Sequence, residues 1–222
     1  MSNTNTYESY LDYNGSKKGI WAWITSTDHK RIGLLYLMGM STFFVVGILI
    51  GLVMKLEMLT PGKTLVDAQT YNALFTLHGV IMIFLFIIPG LPAVFGNFFM
   101  PIQIGAPDVS FPRLNLLSWY LYITGGIFAL ASLFLSGGPI DTGWTFYVPY
   151  SIRTTTNVIL PLLGAFILGF SGILTGLNFI TTIHRMRAPG MTFFKMPLFV
   201  WAIYATAWIQ VLATPVVGIT IV

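Results

Sequence analysis

Five long apolar stretches determine what this chain can fold into. Each has about 20 or more mainly apolar residues, the length that an α-helix needs to cross a hydrocarbon core of about 30 Å. Inside lipid the backbone must satisfy its own hydrogen bonds, so apolar stretches of this length are read as helices. They run from about Ile32 to Met54, Tyr71 to Phe99, Leu116 to Leu135, Asn157 to Ile183, and Pro197 to the end of the chain. The sequence therefore predicts an all-α, polytopic membrane helix bundle with five transmembrane helices.

The composition agrees with a membrane protein. The 222 residues are 55% hydrophobic and only 8% charged, whereas soluble domains carry about 25% charged residues. There is no cysteine, which excludes disulfides, thiolate metal sites and a cysteine-bound copper centre from this chain. The net charge of +4 does not indicate nucleic-acid binding, because the basic residues lie between the apolar stretches.

The basic residues also predict the orientation of the helices in the membrane. With the N-terminus inside, eight lysines and arginines fall on the inside and three on the outside, as the positive-inside rule requires. Residues 1–25 are then a cytoplasmic N-terminal arm, and residues 26–222 form the membrane domain. The polar start of the chain has no apolar core of the signal-peptide type, so no cleaved signal is expected.

His78 is the only histidine within an apolar stretch. An imidazole is costly to place in hydrocarbon unless it is paired or coordinated, and neutral imidazole is a common axial ligand of haem iron. At 1.5 Å per residue, His78 lies on the order of 10 Å below the outer end of the second helix. A haem ligand and a histidine bonded to a neighbouring helix are both consistent with this position.

Polar residues also recur on one face of the fourth predicted helix. Ser171, Thr175, Asn178 and Thr182 follow helical spacing. Such a stripe can line a water-filled path, or it can hold two helices together beside small residues. Asp108 lies in the inside loop before the third helix; a carboxylate at a pore mouth attracts cations, including protons, although an ordinary surface aspartate is the simpler interpretation.

Several segments taken together resemble subunit I of haem-copper oxidases of the cytochrome c oxidase type. The resemblance covers the chain from Trp21 onward, in order and with matching spacing. Its motifs are Ser26–Tyr36, the helix around His78, Gly105–Asp108 with Phe111–Asn115, Asp141–Tyr147, and Asn178–Thr182 with Met186–Met191.

The resemblance implies a role for individual residues. His78 matches one of two axial histidines of the low-spin haem, and Trp144 matches a tryptophan near the haem propionates. Asp108 matches the entry carboxylate of the proton uptake channel called the D-pathway. Other matching positions in that pathway are Asn97, Asn115, Asn178 and Ser171. Glu57 and Gly62 match a peripheral calcium or sodium site found in some members.

Two departures from the family pattern matter. Lys55 stands where the family usually has an arginine beside the low-spin haem; lysine keeps the charge but loses the planar fork of donors. The family's subunit has about twelve helices, whereas this sequence has five, and the copper-binding histidines, the second low-spin haem ligand and the high-spin haem ligand all lie in the later helices. The chain alone therefore cannot reduce oxygen.

The resemblance implies the N-terminal part of a split subunit I, with a second polypeptide supplying the remaining helices and the copper of the binuclear centre. The haem would be haem a, or haem b. The expected partners are oxidase subunits II and III, cytochrome c or another electron donor, and membrane lipid. The complex would reduce oxygen to water and pump protons across a bacterial-type cytoplasmic membrane or the mitochondrial inner membrane.

Other functions are open at this stage. The chain could be a non-catalytic fragment that serves as a structural or assembly protein, or part of a relative that oxidises quinol. It could also be a small electron carrier in which two copies each supply one His78 to a shared haem.

Overall fold

The computed structural model describes residues 19–134 and 138–221. The described chain is helical, and five of its helices are long and apolar enough to cross a membrane, which confirms the predicted all-α architecture. Most of the predicted arm, residues 1–18, lies outside the described residues, as do Leu135 and Val222 at the predicted ends of two spans. The helices are α1 (Ile20–Ile24), α2 (His29–Glu57), α3 (Ala68–Ile104), α4 (Pro112–Ala131), α5 (Tyr150–Arg153), α6 (Ile159–Arg185) and α7 (Leu198–Ile221).

Local sequence signals explain where the long helices begin and end. Asp28 caps α2 by accepting a hydrogen bond from the Lys30 N–H at 2.7 Å, and Asp67 caps α3 by accepting one from the Thr70 N–H at 2.8 Å. These are the first-turn donors that a helix cannot satisfy itself. Gly105 ends α3 in the left-handed conformation with φ +73°, which glycine adopts without strain. The capping turns carry α2 and α3 beyond the apolar stretches predicted from hydropathy.

The middle of α3 departs from regular α-helix. Residues Ile81–Ile87 and Gly90–Gly96 are π-helical, and the two segments flank Pro89. Proline lacks the N–H that an α-helix uses and its ring clashes with the preceding turn, so Pro89 and Pro92 favour a kink at this level of α3. The structure shows that the helix continues through this region with a wider hydrogen-bonding pattern.

Glycines allow the long helices to approach closely. Where α4 crosses α6, a Cβ on Gly125 would lie 2.8 Å from the Gly164 carbonyl oxygen, and a Cβ on Gly164 would lie 2.8 Å from that of Gly125. Where α6 meets α7, a Cβ on Gly176 would lie 2.9 Å from the Ala207 carbonyl oxygen. Close backbone contact at small residues is the usual way in which helices associate in lipid.

Two apolar clusters set the positions of the polar residues. One joins α2, α3 and α4 around Ile32, Tyr36, Ile81 and Tyr122. The other lies where the C-terminal ends of α3 and α6 meet the start of α7, around Met100. Many large apolar side chains are exposed on the outer faces of the helices, as expected for a chain surrounded by lipid or by further helices.

Candidate functional site

His78 is partly buried on α3 with its ring against α2. Its Nδ1 lies 2.9 Å from the Gly47 carbonyl oxygen. A carbonyl can only accept, so Nδ1 carries the proton, and in a neutral imidazole the lone pair is then on Nε2. This is the arrangement in which a second partner fixes the tautomer of a metal-binding histidine. The imidazole therefore fits an axial ligand that binds through Nε2.

Glycines on α2 let α3 approach closely, and one of them faces the imidazole. A Cβ on Gly51 would lie 3.0 Å from His78 Cε1, and a Cβ on Gly47 would lie 2.6 Å from Met82 Sδ. Lys55 follows Gly51 by one helical turn and is exposed in the last turn of α2. The α2 face beside His78 is thus lined by glycines and ends in a cation.

Only one histidine is available at this level of the membrane among the described residues. His29 is the first residue of α2, about 27 Å along the helix from Gly47, and His184 lies at the C-terminal end of α6. In the described part of the chain, no three His, Cys, Asp or Glu side chains are grouped so as to hold a metal ion. Among the described residues, His78 is therefore the one histidine at this level of the bundle.

Trp144 packs on the residue next to His78. A Cβ on Gly79 would lie 2.6 Å from Trp144 Cδ1, and the Trp144 ring meets Phe84 edge to face with centroids 6.2 Å apart. The neighbouring Gly143 N–H donates to Thr76 Oγ1 at 2.9 Å. Trp144 is therefore fixed beside the α3 segment that carries His78.

Asp108 lies half-buried at the opposite end of α3, in the loop that leads to α4. Burial raises the pKa of this carboxyl and outweighs the hydrogen bond that Oδ1 accepts from the Val109 N–H at 2.7 Å. His29 lowers the pKa and Asp28 raises it. An open cleft lined by Thr27 and residues 110–114 adjoins the loop. A carboxyl with a raised pKa at such an opening is suited to binding and releasing protons.

Asn97 and Asn115 come together behind this loop. Asn115 Nδ2 donates to Asn97 Oδ1 at 2.6 Å, and both residues are fully buried. His29 Nδ1 donates to the Asn97 carbonyl oxygen at 2.6 Å. Asn115 Oδ1 is buried without a hydrogen-bond partner in the described chain, and ordered water is the usual partner of such an atom.

Asn178 and Ser171 are both buried on α6 but make different contacts. The Asn178 amide bonds the backbone of Phe111, accepting from its N–H at 2.9 Å and donating to its carbonyl oxygen at 3.2 Å. Ser171 Oγ donates to the Ser118 carbonyl oxygen at 2.7 Å. Asn178 therefore fixes the start of α4, and Ser171 belongs to a hydroxyl cluster farther in.

Tyr36 and Ser118 are members of that cluster which the sequence reasoning missed. Tyr36 OH donates to Ser118 Oγ at 2.9 Å and lies 3.3 Å from Ser171 Oγ. Ser118 Oγ donates to the Asn115 carbonyl oxygen at 2.7 Å. Ser118 could have been found from the sequence, because it lies one turn after Asn115 and so on the same face of α4. Tyr36 lies in an apolar stretch of another helix, and nothing in its local sequence indicates its partners.

Two threonines of the predicted α6 stripe bond their own helix. Thr175 Oγ1 and Thr182 Oγ1 donate to the carbonyl oxygens four residues earlier. Thr182 Oγ1 also accepts a hydrogen bond from the Ser110 N–H at 2.9 Å. The stripe thus combines backbone contacts at its C-terminal end with side-chain hydroxyl contacts at Ser171.

The Glu57 carboxylate closes the loop after α2. It accepts hydrogen bonds from the backbone N–H groups of Thr64, Leu65 and Val66 at 3.0, 2.6 and 3.0 Å, and from Thr64 Oγ1 at 3.1 Å. Gly62 lies within this loop with φ +93°. These hydrogen bonds hold the loop against Glu57. The calcium or sodium site stays a prediction.

The family of the chain follows from comparison with known proteins. Residues 31–222 match the family model for cytochrome c and quinol oxidase polypeptide I. The chain is 42% identical over 219 residues to a probable cytochrome c oxidase subunit 1-alpha of Streptomyces avermitilis, covering 96% of this chain and 38% of that protein.

Two further relatives agree. The chain is 43% identical over 198 residues to a probable cytochrome c oxidase subunit 1-beta of Nocardia farcinica, covering 87% of this chain and 33% of that protein. It is 39% identical over 207 residues to cytochrome c oxidase subunit 1 of Corynebacterium efficiens, covering 90% of this chain and 35% of that protein. The chain thus spans between a third and two-fifths of the length of these relatives, and it belongs to the cytochrome c and quinol oxidase polypeptide I family as an integral membrane protein.

Proposed function

We propose that this chain forms the first five membrane helices of subunit I of a terminal oxidase that reduces oxygen to water and pumps protons. The rest of the subunit, on a second polypeptide or a longer form of this one, would supply the later helices, the second haem ligand and the copper site. Family membership supports a role as part of an oxidase subunit. The distance between His78 and Asp108 supports separate roles for them, His78 in electron transfer and Asp108 in proton uptake.

The observation that carries the proposal is the His78 imidazole, whose Nδ1–H is held by the Gly47 carbonyl. His78 Nε2 would bind the iron of a low-spin haem a or b. When bound, haem accepts and donates one electron at a time, with a potential set by its axial ligands and their surroundings. Lys55 and Trp144 would contribute to those surroundings, Lys55 as a cation at the outer end of α2.

The proton pathway would begin at Asp108, whose raised pKa favours binding of a proton from the inside. Its further members would be Asn97, Asn115, Asn178 and Ser171, and contacts at 2.9 and 3.3 Å add the hydroxyls of Ser118 and Tyr36. Hydroxyls and amides both donate and accept hydrogen bonds, so they can orient water along this route. Glu57 and Gly62 remain candidates for a calcium or sodium ion.

The topology follows from the same proposal. Residues 1–25 would be an arm on the cytoplasmic or matrix side, and residues 26–222 the membrane domain, with His78 in the outer half of the bilayer and Asp108 at the inner surface. Oxidase subunits II and III would be partners, and cytochrome c would be the electron donor.

The test is purification through a tag on this chain in mild detergent, followed by reduced-minus-oxidised spectra and mass spectrometry. Two haem signals, together with the remaining helices of subunit I, are expected. A copurifying subunit without a copper-bearing electron entry domain would identify a quinol-oxidising relative. A chain that purifies alone and without haem would contradict the proposal and indicate a structural fragment.

A further inference from the structure

Asp141 is a buried carboxylate in the outer segment between α4 and α5, and none of the roles assigned above uses it. Only 6% of its surface is exposed. Its Oδ1 accepts hydrogen bonds from Thr154 Oγ1 at 2.7 Å and Thr156 Oγ1 at 3.0 Å. Its Oδ2 accepts from Gln69 Nε2 at 2.6 Å and Tyr150 OH at 2.8 Å. The Asp141 side chain thus joins the start of α3 to both ends of the short helix α5.

The number of donors indicates that Asp141 is ionised. Burial alone would raise the pKa of its carboxyl, but the hydrogen bonds from Thr154, Tyr150, Thr156 and Gln69 outweigh burial, and the pKa is lowered. A buried charge is tolerated when its hydrogen-bonding capacity is met. Removal of the charge would leave four donors around a poorer acceptor.

The segment that Asp141 holds carries Trp144. Gly143 lies between Asp141 and Trp144 and has φ +77°, a conformation suited to glycine. Its N–H donates to Thr76 Oγ1. Gln69 and Thr76 are two turns apart on α3, so the outer segment is attached to this helix at two levels. Trp144 comes next and lies on Gly79, where a Cβ would come within 2.6 Å of its ring.

We propose that Asp141 is a positioning residue: it holds the outer segment so that Trp144 stays packed on Gly79, beside His78. The role of Trp144 near the haem rests on the proposed function, whereas the attachment of the segment to α3 does not. Loss of the Asp141 carboxylate releases the segment, moves the Trp144 ring and changes the surroundings of the His78 imidazole.

Asp141→Asn tests the proposal, and Asp67→Asn is its matched control. Asp67 is also on the outer side, but it is exposed and caps α3 through the Thr70 N–H. Asparagine caps helices as well as aspartate, so the control removes the same charge and keeps the local structure. Both variants are made in the full oxidase complex, reconstituted in lipid nanodiscs.

Hydrogen exchange is the first measurement, and it needs no haem. Amide exchange in residues 142–147 should be about tenfold faster in Asp141→Asn, because local opening of the segment becomes easier, and unchanged in Asp67→Asn. Equal exchange in wild type and Asp141→Asn would overturn the proposal. If Asp141→Asn does not assemble, Thr156→Val removes one donor and should produce a smaller acceleration in the same peptides.

The low-spin haem spectrum and its electron paramagnetic resonance are the second measurement. Asp141→Asn should shift both signals, and the same substitution in a Trp144→Leu background should add nothing, because coupled residues are not additive. An equal shift in both backgrounds would show that Asp141 does not act through Trp144. A wild-type complex without low-spin haem would contradict the proposed function instead, and the exchange result would still test the attachment of the segment.

Discussion

At the scale of single residues, the two ends of α3 carry side chains with different chemical properties. His78 has a fixed tautomer and a lone pair on Nε2, which suits a metal. Asp108 has a carboxyl that burial keeps closer to its neutral form, which suits proton exchange. Neither property belongs to the residue type alone; each is produced by a neighbour or by burial.

Asp108→Asn should slow proton uptake while making the protein more stable at neutral pH. A carboxyl whose pKa is raised in the folded state stabilises that state at low pH, and the stabilisation is lost as the pH rises through the folded pKa. Asparagine keeps the acceptor for the Val109 N–H and has no charge to desolvate. The thermal unfolding midpoint of the variant should therefore exceed that of wild type by an amount that grows with pH.

The control for this experiment is Asp67→Asn, which removes an exposed charge at the opposite end of α3, keeps a helix cap and leaves Asp108 and its neighbours in place. It should retain proton uptake. A difference between the unfolding midpoints of Asp108→Asn and wild type that shrinks as the pH rises would contradict the argument.

Tyr36→Phe should slow proton uptake without loss of haem. The substitution removes the hydroxyl that contacts Ser118 and Ser171. One hydrogen bond is worth about 1 kcal/mol, which corresponds to a rate about fivefold lower if the contact lies on the path. Tyr120→Phe is the control, because that hydroxyl donates to the Ile24 carbonyl oxygen instead. Stopped-flow proton uptake measures both, and equal rates would exclude Tyr36 from the path.

The sequence predicted those residues whose partners are implied by helical periodicity. The α6 stripe was found because Ser171 and Asn178 repeat at helical spacing, and Asp108 because it is a carboxylate in an inside loop. Tyr36 was missed because its partners lie on α4 and α6, more than 80 positions away. Contacts of this kind depend on helix packing, which the hydropathy pattern does not specify.

At the scale of helices, α4 and α6 depend on a contact between glycine backbones. Gly164→Ala would place a Cβ 2.8 Å from the Gly125 carbonyl oxygen and 3.1 Å from the Ala129 nitrogen, and backbone atoms cannot move aside easily. Overpacking of this kind costs about 1–3 kcal/mol. The thermal unfolding midpoint in detergent should fall.

Gly172→Ala is the matched control on the same helix. Its nearest atoms would be those of Gln210 at 4.0 Å, an ordinary contact, and alanine favours helix over glycine by about 1 kcal/mol. Its midpoint should be equal to or above that of wild type. Equal midpoints for the two variants would show that the α4–α6 contact is not tight.

The helices themselves were largely predictable, and their ends less so. Apolar length identified all five, since the lipid leaves the backbone few alternatives. Helices α2 and α3 begin before the predicted apolar stretches, because Asp28 and Asp67 cap polar first turns that a hydropathy window leaves out. The proline positions indicated an irregular α3, but the π-helical form could not be foreseen, because it depends on how the neighbouring helices meet the backbone groups that proline leaves.

At the scale of the whole molecule, the fold separates the two candidate sites by the length of α3. His78 and Ile104 are roughly 35–40 Å apart along the helix, with Asp108 just beyond. Under the proposed function, this separation would put electron transfer near one membrane surface and proton entry near the other. The chain spans 33–38% of the length of two of its relatives, and the proposed function would need the remaining helices of the subunit as well.

The ligation of haem by His78 is the central claim, and one difference spectrum tests it most directly. His78→Ala and His184→Ala are purified as the full oxidase complex and compared with wild type. His184 is exposed at the C-terminal end of α6, where its Nε2 lies 2.8 Å from Tyr204 OH. The account predicts that the low-spin haem band disappears in His78→Ala, while any haem held by the rest of the subunit persists, and that His184→Ala keeps the wild-type spectrum. A low-spin band of wild-type amplitude in His78→Ala would contradict the account.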